Sequence, residues 1–290
     1  MSYLIITPVR DEEYTIELTI NSVINQTILP LKWLIIDDNS IDGTSKIIDE
    51  YSSKYEFISK LAINKDTDRV PGKGPISTFN YGIECIDIED YDYVVKLDAD
   101  MNFNNNYFER IFNKFSNNSK LGIVSGLIVE KNTMKPSKSH YHQITQGNTK
   151  VYKRELLEKI YPIEEVKGWD FLDNIKAMYY GYETKIIKNL IAIHLKPLDS
   201  NVGYKKENYL KGYYDAFLKY PSLFVLIKGL KKIFIEKPII LNGYFYVYGY
   251  CKNLFIDKEF YKDKEVIDFL IKFQRRRLKE LFFFKKNLYY

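Results

Sequence analysis

The segment YLIITPVRDEEYTIELTINSVINQTILPLKWLIIDD, residues 3–38, decides the fold of this chain. Its apolar run at residues 3–7 ends at Pro8 and is typical of a buried strand. Apolar side chains then recur at helical spacing within residues 14–27, and a second buried strand follows at residues 33–37. A strand, a helix and a strand in so short a stretch predict a βαβ unit in a largely parallel sheet.

The same alternation continues to residue 194. Further apolar runs predict strands at 57–63, 93–97, 121–129 and 184–194, and helical patterns cover 45–55, 75–86, 105–116, 151–160 and 170–180. From residue 204 the pattern is helical, aromatic and basic. We therefore predict an α/β fold, with a Rossmann-like, mostly parallel sheet flanked by helices in residues 1–203 and a helical C-terminal extension in residues 204–290.

Composition excludes several classes of protein. With 290 residues, 46% of them hydrophobic, the chain is neither a disordered tail nor a disulfide-stapled miniprotein. The two cysteines, Cys85 and Cys251, are far apart, so neither a zinc knuckle nor a disulfide framework is indicated. The first residues carry no secretion signal, no apolar run is long enough to span a membrane, and a cytoplasmic location is expected.

Charge is distributed unevenly along the chain. Residues 1–200 hold 24 Lys and Arg against 29 Asp and Glu, a net charge of −5, whereas residues 201–290 hold 19 against 9, a net charge of +10. A basic block of this kind indicates a partner such as nucleic acid or an anionic membrane surface. No helix-turn-helix, RNP-like or zinc signature accompanies it, so no nucleic acid partner is expected.

Acidic residues follow the predicted strands where those strands end. Asp98 and Asp100 flank one small residue directly after the strand 93–97. Ligands of open α/β sheets gather at the carboxyl ends of strands, and paired carboxylates are hard oxygen ligands for Mg²⁺ or Mn²⁺. Because the DxD pattern is common by chance, a solvated turn is the alternative interpretation.

A second acidic loop, IIDDNSIDGT, covers residues 35–44. An acceptor at this rim can bind an N–H group of a base or a sugar hydroxyl, a role that we assign to Asp38. The alternative is purely structural, with Asp42 and Gly43 making the turn and Thr44 capping the next helix.

Taken in order, four motifs resemble those of the family 2 glycosyltransferases of the GT-A fold. TPVRDE at residues 7–12 resembles the opening TPxxNE segment of that family, and residues 36–44 resemble its VDDGSTDGT loop. GKGPISTFNYG at residues 72–82 resembles the glycine-to-ARNxG segment, and LDAD at residues 97–100 resembles the metal-binding LDxD motif.

The resemblance implies a nucleotide-binding half in residues 1–100 and an acceptor half in residues 101–203. It implies donor-nucleotide contacts for Thr7, Pro8, Arg10, Glu12, Asp38, Arg69, Lys73, Asp98 and Ala99. For Arg69 and Lys73, a mobile solvated loop is an equally good interpretation. The resemblance further implies that Asp100 is the main ligand of a bound Mg²⁺ or Mn²⁺, and that His194, placed after a strand, completes the coordination of the metal or the diphosphate.

The later motifs match less closely. The family carries a Glu-Asp pair about eleven residues before a Gly-Tyr pair; here Asp170 stands at the Asp position and Trp169 replaces the Glu. Asp170 is therefore the candidate general base, although Asp173 is an alternative and Asp170 could simply cap the helix. Gly147-Asn-Thr149 resembles the segment that lines the donor-sugar pocket. His140 and His142 are expected in a polar loop.

The C-terminal third interleaves Tyr and Phe with Lys and Arg. That pattern suits the headgroup zone of an anionic bilayer, but an aromatic core between helices with a solvated basic face explains it nearly as well.

Taken together, the sequence predicts an inverting, metal-dependent glycosyltransferase that uses a nucleotide sugar, most readily a UDP- or GDP-sugar. A glycan or lipid-linked acceptor and a peripheral position on the cytoplasmic membrane face are expected. A nucleotide-sugar-binding module without turnover is the alternative, and a nucleotidyltransferase is disfavoured because TPVRDEE lacks a glycine-rich basic loop.

Overall fold

A computed structural model describes residues 1–63, 74–136, 144–196, 203–234 and 240–282 of the chain, with side chains described as far as residue 277. The predicted positions Arg69, Lys73, His140 and His142 lie outside these ranges. The chain divides into two compact units, Met1–Leu198 and Asp199–Tyr290.

Within the described residues, the first unit is built on one eight-stranded sheet. Its strands are β1 (Tyr3–Val9), β2 (Lys32–Asp38), β3 (Ile58–Ile63), β4 (Tyr93–Leu97), β5 (Met101–Phe103), β6 (Leu121–Glu130), β7 (Thr149–Lys153) and β8 (Glu183–His194). Their order across the sheet is β3-β2-β1-β4-β7-β6-β8-β5.

The nucleotide-binding half predicted from the sequence contains the parallel part of the sheet. β3, β2, β1 and β4 all run in the same direction. The chain order reverses beside β1, because β2 lies on one side of it and β4 on the other. Such a switch point opens a crevice at the carboxyl ends of the strands. Val9, Asp38 and Leu97, which end these strands, therefore lie along one edge of the sheet.

The second half of the sheet is mixed. β7 runs antiparallel to β4 and β6, β8 runs parallel to β6, and the short β5 is antiparallel to β8. The helix predicted at residues 151–160 is wrong at its start, since residues 149–153 form β7 and the helix begins at Arg154.

Helices cover both faces of the sheet. They are α1 (Ile16–Ile24), α2 (Thr44–Lys54), α3 (Gly74–Glu84), α4 (Tyr107–Asn117), α5 (Arg154–Ile160) and α6 (Trp169–Tyr179). One buried cluster joins the sheet to α1, α2 and α4, and a second joins its other face to α3, α5 and α6. β1, β2, β4 and β6 are buried on both faces, which explains why they read as continuous apolar runs.

The second unit is helical in its described part. It contains α7 (Tyr204–Phe217), α8 (Ser222–Phe234), α9 (Leu241–Lys252), a π-helical turn (Asn253–Asp257) and α10 (Lys264–Phe282). α7 and α9 cross in backbone contact, because a Cβ added at Gly212 would lie 1.8 Å from the main-chain oxygen of Tyr246. Among the described helices, none combines the length and the apolar character that a membrane span requires.

Candidate functional site

The loops after β1 and β2 are tied together by side-chain to backbone hydrogen bonds. Thr44 accepts from the main-chain N–H of Glu12 at 2.7 Å, and Glu13 accepts from the N–H of Gly43 at 2.8 Å. Asp11 accepts from the N–H of Ile41 at 2.9 Å. These bonds fix two strand ends relative to each other, so the acidic loop is held as part of one rigid rim.

Asp37 and Asp38 have different surroundings at the end of β2. The Asp37 carboxylate accepts from the N–H of Ser40 at 3.0 Å and so holds the turn. In contrast, Oδ1 of Asp38 is buried and has no hydrogen-bond partner among the described residues. A buried, unpartnered carboxylate oxygen is costly unless a ligand supplies a donor. Asp38 is therefore suited to receive an N–H or O–H group.

Thr7 is buried too deeply to contact a ligand directly. Its side chain is fully buried, and its hydroxyl accepts a 2.9 Å hydrogen bond from the indole of Trp33. Pro8 and Arg10 lie half-buried in the following residues, with Nε of Arg10 placed 3.8 Å from a carboxylate oxygen of Asp11. Any nucleotide contact at this strand end remains a prediction.

Helix α1 holds the turn that carries Asp98, Ala99 and Asp100. Thr19 of α1 donates to the main-chain oxygen of Ala99 at 2.8 Å and accepts from the N–H of Met101 at 3.0 Å. Thr19 is fully buried. Sequence reasoning missed this residue, because a lone Thr within an apolar helical pattern gives no signal that it braces another loop.

Asp98 lies between two polar partners. Lys96 donates to one carboxylate oxygen, and the amide of Asn148 donates to the other at 3.0 Å. Burial raises the pKa of Asp98, and the charge of Lys96 opposes that rise. Asn148 belongs to the segment that resembles the donor-sugar pocket of the family, so the contact brings that segment to the acidic turn.

His194, at the end of β8, meets Asp100. Its Nε2 lies 3.0 Å from an Asp100 carboxylate oxygen, and both residues are buried. Leu195 also donates its N–H to the Asp100 main-chain oxygen at 2.8 Å. Next along the chain, Lys196 places Nζ 2.7 Å from Glu12 Oε1. The structure thus brings together the ends of β1, β4 and β8.

The charges at this edge of the sheet shift one another's pKa. Burial alone lowers the pKa of His194, but the Asp100 hydrogen bond and the charges of Asp100, Asp98 and Glu12 outweigh it and raise that pKa. Burial raises the pKa of Glu12, with the charge of Asp100 adding to the rise and Lys196 opposing it. A cluster of acidic groups at a strand edge attracts cations.

The donor set fits a divalent ion only in part. The 3.0 Å separation between Asp100 and His194 matches neighbouring ligands of an octahedral ion with bonds of about 2.1 Å. Nδ1 of His194 is buried without a hydrogen-bond partner in the described structure. Within the ranges described, no three His, Cys, Asp or Glu side chains are grouped to hold a metal by themselves. An ion here would need further oxygen ligands from a substrate.

The two aspartates at the start of α6 have different surroundings. Asp173 is buried and accepts 2.5 Å hydrogen bonds from Lys150 and Tyr152, one on each carboxylate oxygen. Burial raises the pKa of Asp173 and lowers that of Lys150, and each charge opposes the shift of the other. Asp170 is half-buried and offers Lys150 its main-chain oxygen at 2.6 Å, leaving its carboxylate out of this network.

Trp169, the residue before Asp170, packs against two lysines. The ammonium groups of Lys96 and Lys150 lie 5.3 Å and 5.2 Å from its ring. A Cβ at Gly147 would lie 2.6 Å from the same ring, so glycine is required for this close packing. Trp169 therefore stands where the resemblance placed a glutamate and forms cation-π contacts with both lysines.

A family model described as "Glycosyl transferase family 2" matches residues 4–171 of this chain. This chain belongs to glycosyl transferase family 2. The matched range contains the four motifs of the first half together with Asp170, and it includes most of the sheet.

Curated relatives share parts of the sequence. The poly-beta-1,6-N-acetyl-D-glucosamine synthase of Staphylococcus epidermidis is 30% identical over 116 residues, which is 40% of this chain and 26% of that protein. The probable glycosyltransferase YdaM of Bacillus subtilis strain 168 is 35% identical over 80 residues, 27% of this chain and 18% of that protein. The matches thus span about a quarter or less of the curated relatives.

Solved structures share the fold. The mannosyltransferase PcManGT from Pyrobaculum calidifontis, solved with GDP-Man and Mn²⁺, gives a TM-score of 0.57 at 15% identity, over 95% of this chain and 80% of that one. S. aureus TarS 1–349, solved with UDP-GlcNAc, gives 0.56 at 19% identity, over 74% and 66%. The predicted GT-A fold of this family 2 chain is thereby confirmed.

Proposed function

We propose that this protein is a metal-dependent glycosyltransferase that moves a sugar from a nucleoside-diphosphate sugar to an acceptor hydroxyl with inversion. The contact between Asp100 and His194 at the carboxyl edge of the sheet carries this proposal, with Asp98 in the same turn and Glu12 held beside it by Lys196. The fold places that edge at its crevice, where ligands of open α/β sheets bind.

The base and ribose of the donor are assigned to the first two strand ends. Asp38 has a buried oxygen without a partner, which suits a ring N–H of a base. The charge of Asp100 acts on both Glu12 and Asp98, and Asp98 is the candidate for the ribose or the diphosphate. Pro8, Arg10 and Ala99 are further proposed contacts of the donor, whereas the fully buried Thr7 would support this strand end from within. Arg69 and Lys73 remain proposed contacts outside the described residues.

Asp100 and His194 are the residues that would hold Mg²⁺ or Mn²⁺. Ions of this kind take one or two protein ligands together with substrate phosphate oxygens, which agrees with a donor set that is incomplete without substrate. When bound, the cation supplies positive charge to the diphosphate as it departs. In support, related folds have been solved with Mn²⁺.

Asp170 is proposed as the general base. Its carboxylate would take the proton from the acceptor hydroxyl while the acceptor oxygen attacks the anomeric carbon. The bond from that carbon to the diphosphate oxygen breaks, and its electron pair leaves with the nucleoside diphosphate. One displacement of this kind inverts the anomeric centre. Asp173 is unsuited to the role because Lys150 and Tyr152 occupy both of its oxygens.

The donor class is proposed from relatives rather than from this chain. Among structures of the same fold, TarS was solved with UDP-GlcNAc and PcManGT with GDP-Man. A UDP- or GDP-sugar is therefore the first choice, and a glycan or lipid-linked acceptor is proposed. A cytoplasmic location, peripheral on the cytoplasmic membrane face, is proposed as well, and the free thiols of Cys85 and Cys251 are compatible with it.

The test is release of nucleoside diphosphate by the full chain from a panel of UDP- and GDP-sugars, with Mn²⁺, Mg²⁺ or EDTA. We expect release with a metal and a preferred donor, and loss of release in Asp100→Asn and Asp170→Asn. Lys188→Ala, an exposed change on β8, serves as the matched control. Donor binding without release under every condition would instead support a non-catalytic binding module.

A further inference from the structure

The helix α8 exposes an apolar stripe. Leu223, Leu226, Leu230 and Phe234 recur at spacings of three and four residues and therefore lie on one face. Phe234 is 72% exposed, and the three leucines are between 44% and 56% exposed. The opposite face of α8 is buried through Phe224 and Val225, so α8 carries apolar side chains on both its buried and its exposed face.

The neighbouring helix α9 extends this surface. Val247 packs beside α8, since its side chain lies 3.1 Å from where a Cβ of Gly229 would be. Tyr244, Val247 and Tyr248 occupy one face of α9 and are exposed. Contiguous apolar side chains on a protein surface mark an interaction site more often than a solvated face. We name the seven residues the α8–α9 face: Leu223, Leu226, Leu230, Phe234, Tyr244, Val247 and Tyr248.

The charge of α8 and α9 indicates what kind of partner the α8–α9 face binds. α8 and α9 contain four lysines and no aspartate or glutamate. Lys232 is buried and donates to Asn208, and Lys228 pairs with Asp215, whereas Lys231 is exposed on the flank of the stripe. A second copy of the chain would bring Lys231 of both copies to one interface, because a two-fold interface pairs a surface with itself. An anionic surface has the complementary charge.

We infer that the α8–α9 face docks on an anionic lipid surface, with the leucines and aromatic rings dipping into the headgroup zone and Lys231 at the lipid phosphates. Interfacial helices bind in this way through apolar area together with attraction to anionic lipid. The inference rests on the proposed function and extends it, because it assigns the membrane contact to α8 and α9. The sequence pattern indicates only the C-terminal third as a whole.

Flotation with vesicles tests the inference and needs no donor or acceptor. The full chain is mixed with vesicles of phosphatidylcholine alone or of phosphatidylcholine with phosphatidylglycerol. We expect it to float with the anionic vesicles, and the double variant Leu226→Glu/Leu230→Glu to float about tenfold less. Leu31→Glu, which introduces the same charge at an exposed leucine of the first unit, should float like the parent chain.

Circular dichroism and melting temperature establish that the double variant is folded; if it is not, the milder Leu226→Ser/Leu230→Ser is used in its place. Equal flotation of parent and variant, or equal flotation with neutral and anionic vesicles, overturns the inference. So does a dimeric mass of the parent chain in solution that the double variant converts to a monomer. Nucleotide release measured without vesicles is a separate readout, so failure of one proposal does not imply failure of the other.

Discussion

His194 Nε2 lies 3.0 Å from an Asp100 carboxylate oxygen, although the two residues are 94 positions apart in the chain. The contact exists because β5, which follows Asp100, pairs with the end of β8 in antiparallel register, with Met101 opposite His194. Strand pairing therefore places an imidazole beside the acidic turn and keeps it there.

Removing the His194 imidazole should weaken metal binding more than it lowers the stability of the fold. In His194→Ala we expect half-maximal nucleotide release to require about tenfold more Mn²⁺ or Mg²⁺, within the 10- to 100-fold range typical of lost metal-site partners. The measurement is a metal titration of turnover, with Lys188→Ala on the same strand as control. An unchanged metal requirement would remove His194 from the proposed site.

The two aspartates of α6 should respond differently to substitution. Asp170→Asn should lower turnover by about 10² to 10⁴-fold, the usual contribution of a general base, with donor binding and melting temperature nearly unchanged. Asp173→Leu should destabilise the fold by about 3–5 kcal/mol, because it leaves Lys150 buried without its charge partner. Kinetics and denaturant unfolding of both variants check this. Stable, inactive Asp173→Leu beside active Asp170→Asn would reverse the assignment.

Thr19 should stabilise the acidic turn although the two are far apart in sequence. Thr19→Val keeps the shape of the side chain but removes its hydroxyl from Ala99 and Met101. We expect a loss of about 1–3 kcal/mol in the free energy of unfolding, since a buried N–H loses its acceptor. The metal requirement should rise as well. Ser22→Ala, on the same helix, is the comparison, because the Ser22 hydroxyl donates to the main-chain oxygen of Leu18 within α1.

Tyr107 gives a prediction for alkaline pH. Burial raises the pKa of Tyr107 to about 12. Because this value exceeds that of the unfolded chain, about 10, the stabilisation is fully present below pH 10 and is lost as pH rises through 12. The stability advantage of the parent chain over Tyr107→Phe should therefore shrink by about 2–3 kcal/mol across that interval.

Melting temperatures of both chains between pH 8 and the alkaline limit measure this difference. Leu31→Ala, an exposed change without a titrating group, is the control and should show a nearly constant offset. A constant difference for Tyr107→Phe as well would contradict a buried, neutral phenol.

Three strands of the first half, β1, β2 and β4, could be predicted because they are buried on both faces. β1, β2 and β4 are continuous apolar runs, and each is followed by acidic residues that mark the rim of the sheet. The residues that the sequence placed at strand ends, Asp38, Asp98 and Asp100, do lie on that edge. A pattern that reports burial directly gives a reliable prediction.

β7 could not be predicted in the same way. Its sequence TKVYK contains two lysines and reads as the start of a polar helix, yet Lys150 is fully buried. The partner that makes this burial tolerable, Asp173, lies on another element and is not apparent from local sequence. Thr19 and the pair of Glu12 with Lys196 were missed for the same reason, because each contact depends on the folded arrangement of distant segments.

Calorimetric titration of UDP and GDP into the full chain, with and without Mn²⁺, tests most directly whether the acidic edge binds a nucleoside diphosphate through a cation. We predict that one of the two nucleotides binds at least about tenfold more tightly with Mn²⁺, a gain of about 1.4 kcal/mol, and that Asp100→Asn removes this gain. Binding that responds neither to Mn²⁺ nor to the substitution would contradict the proposal.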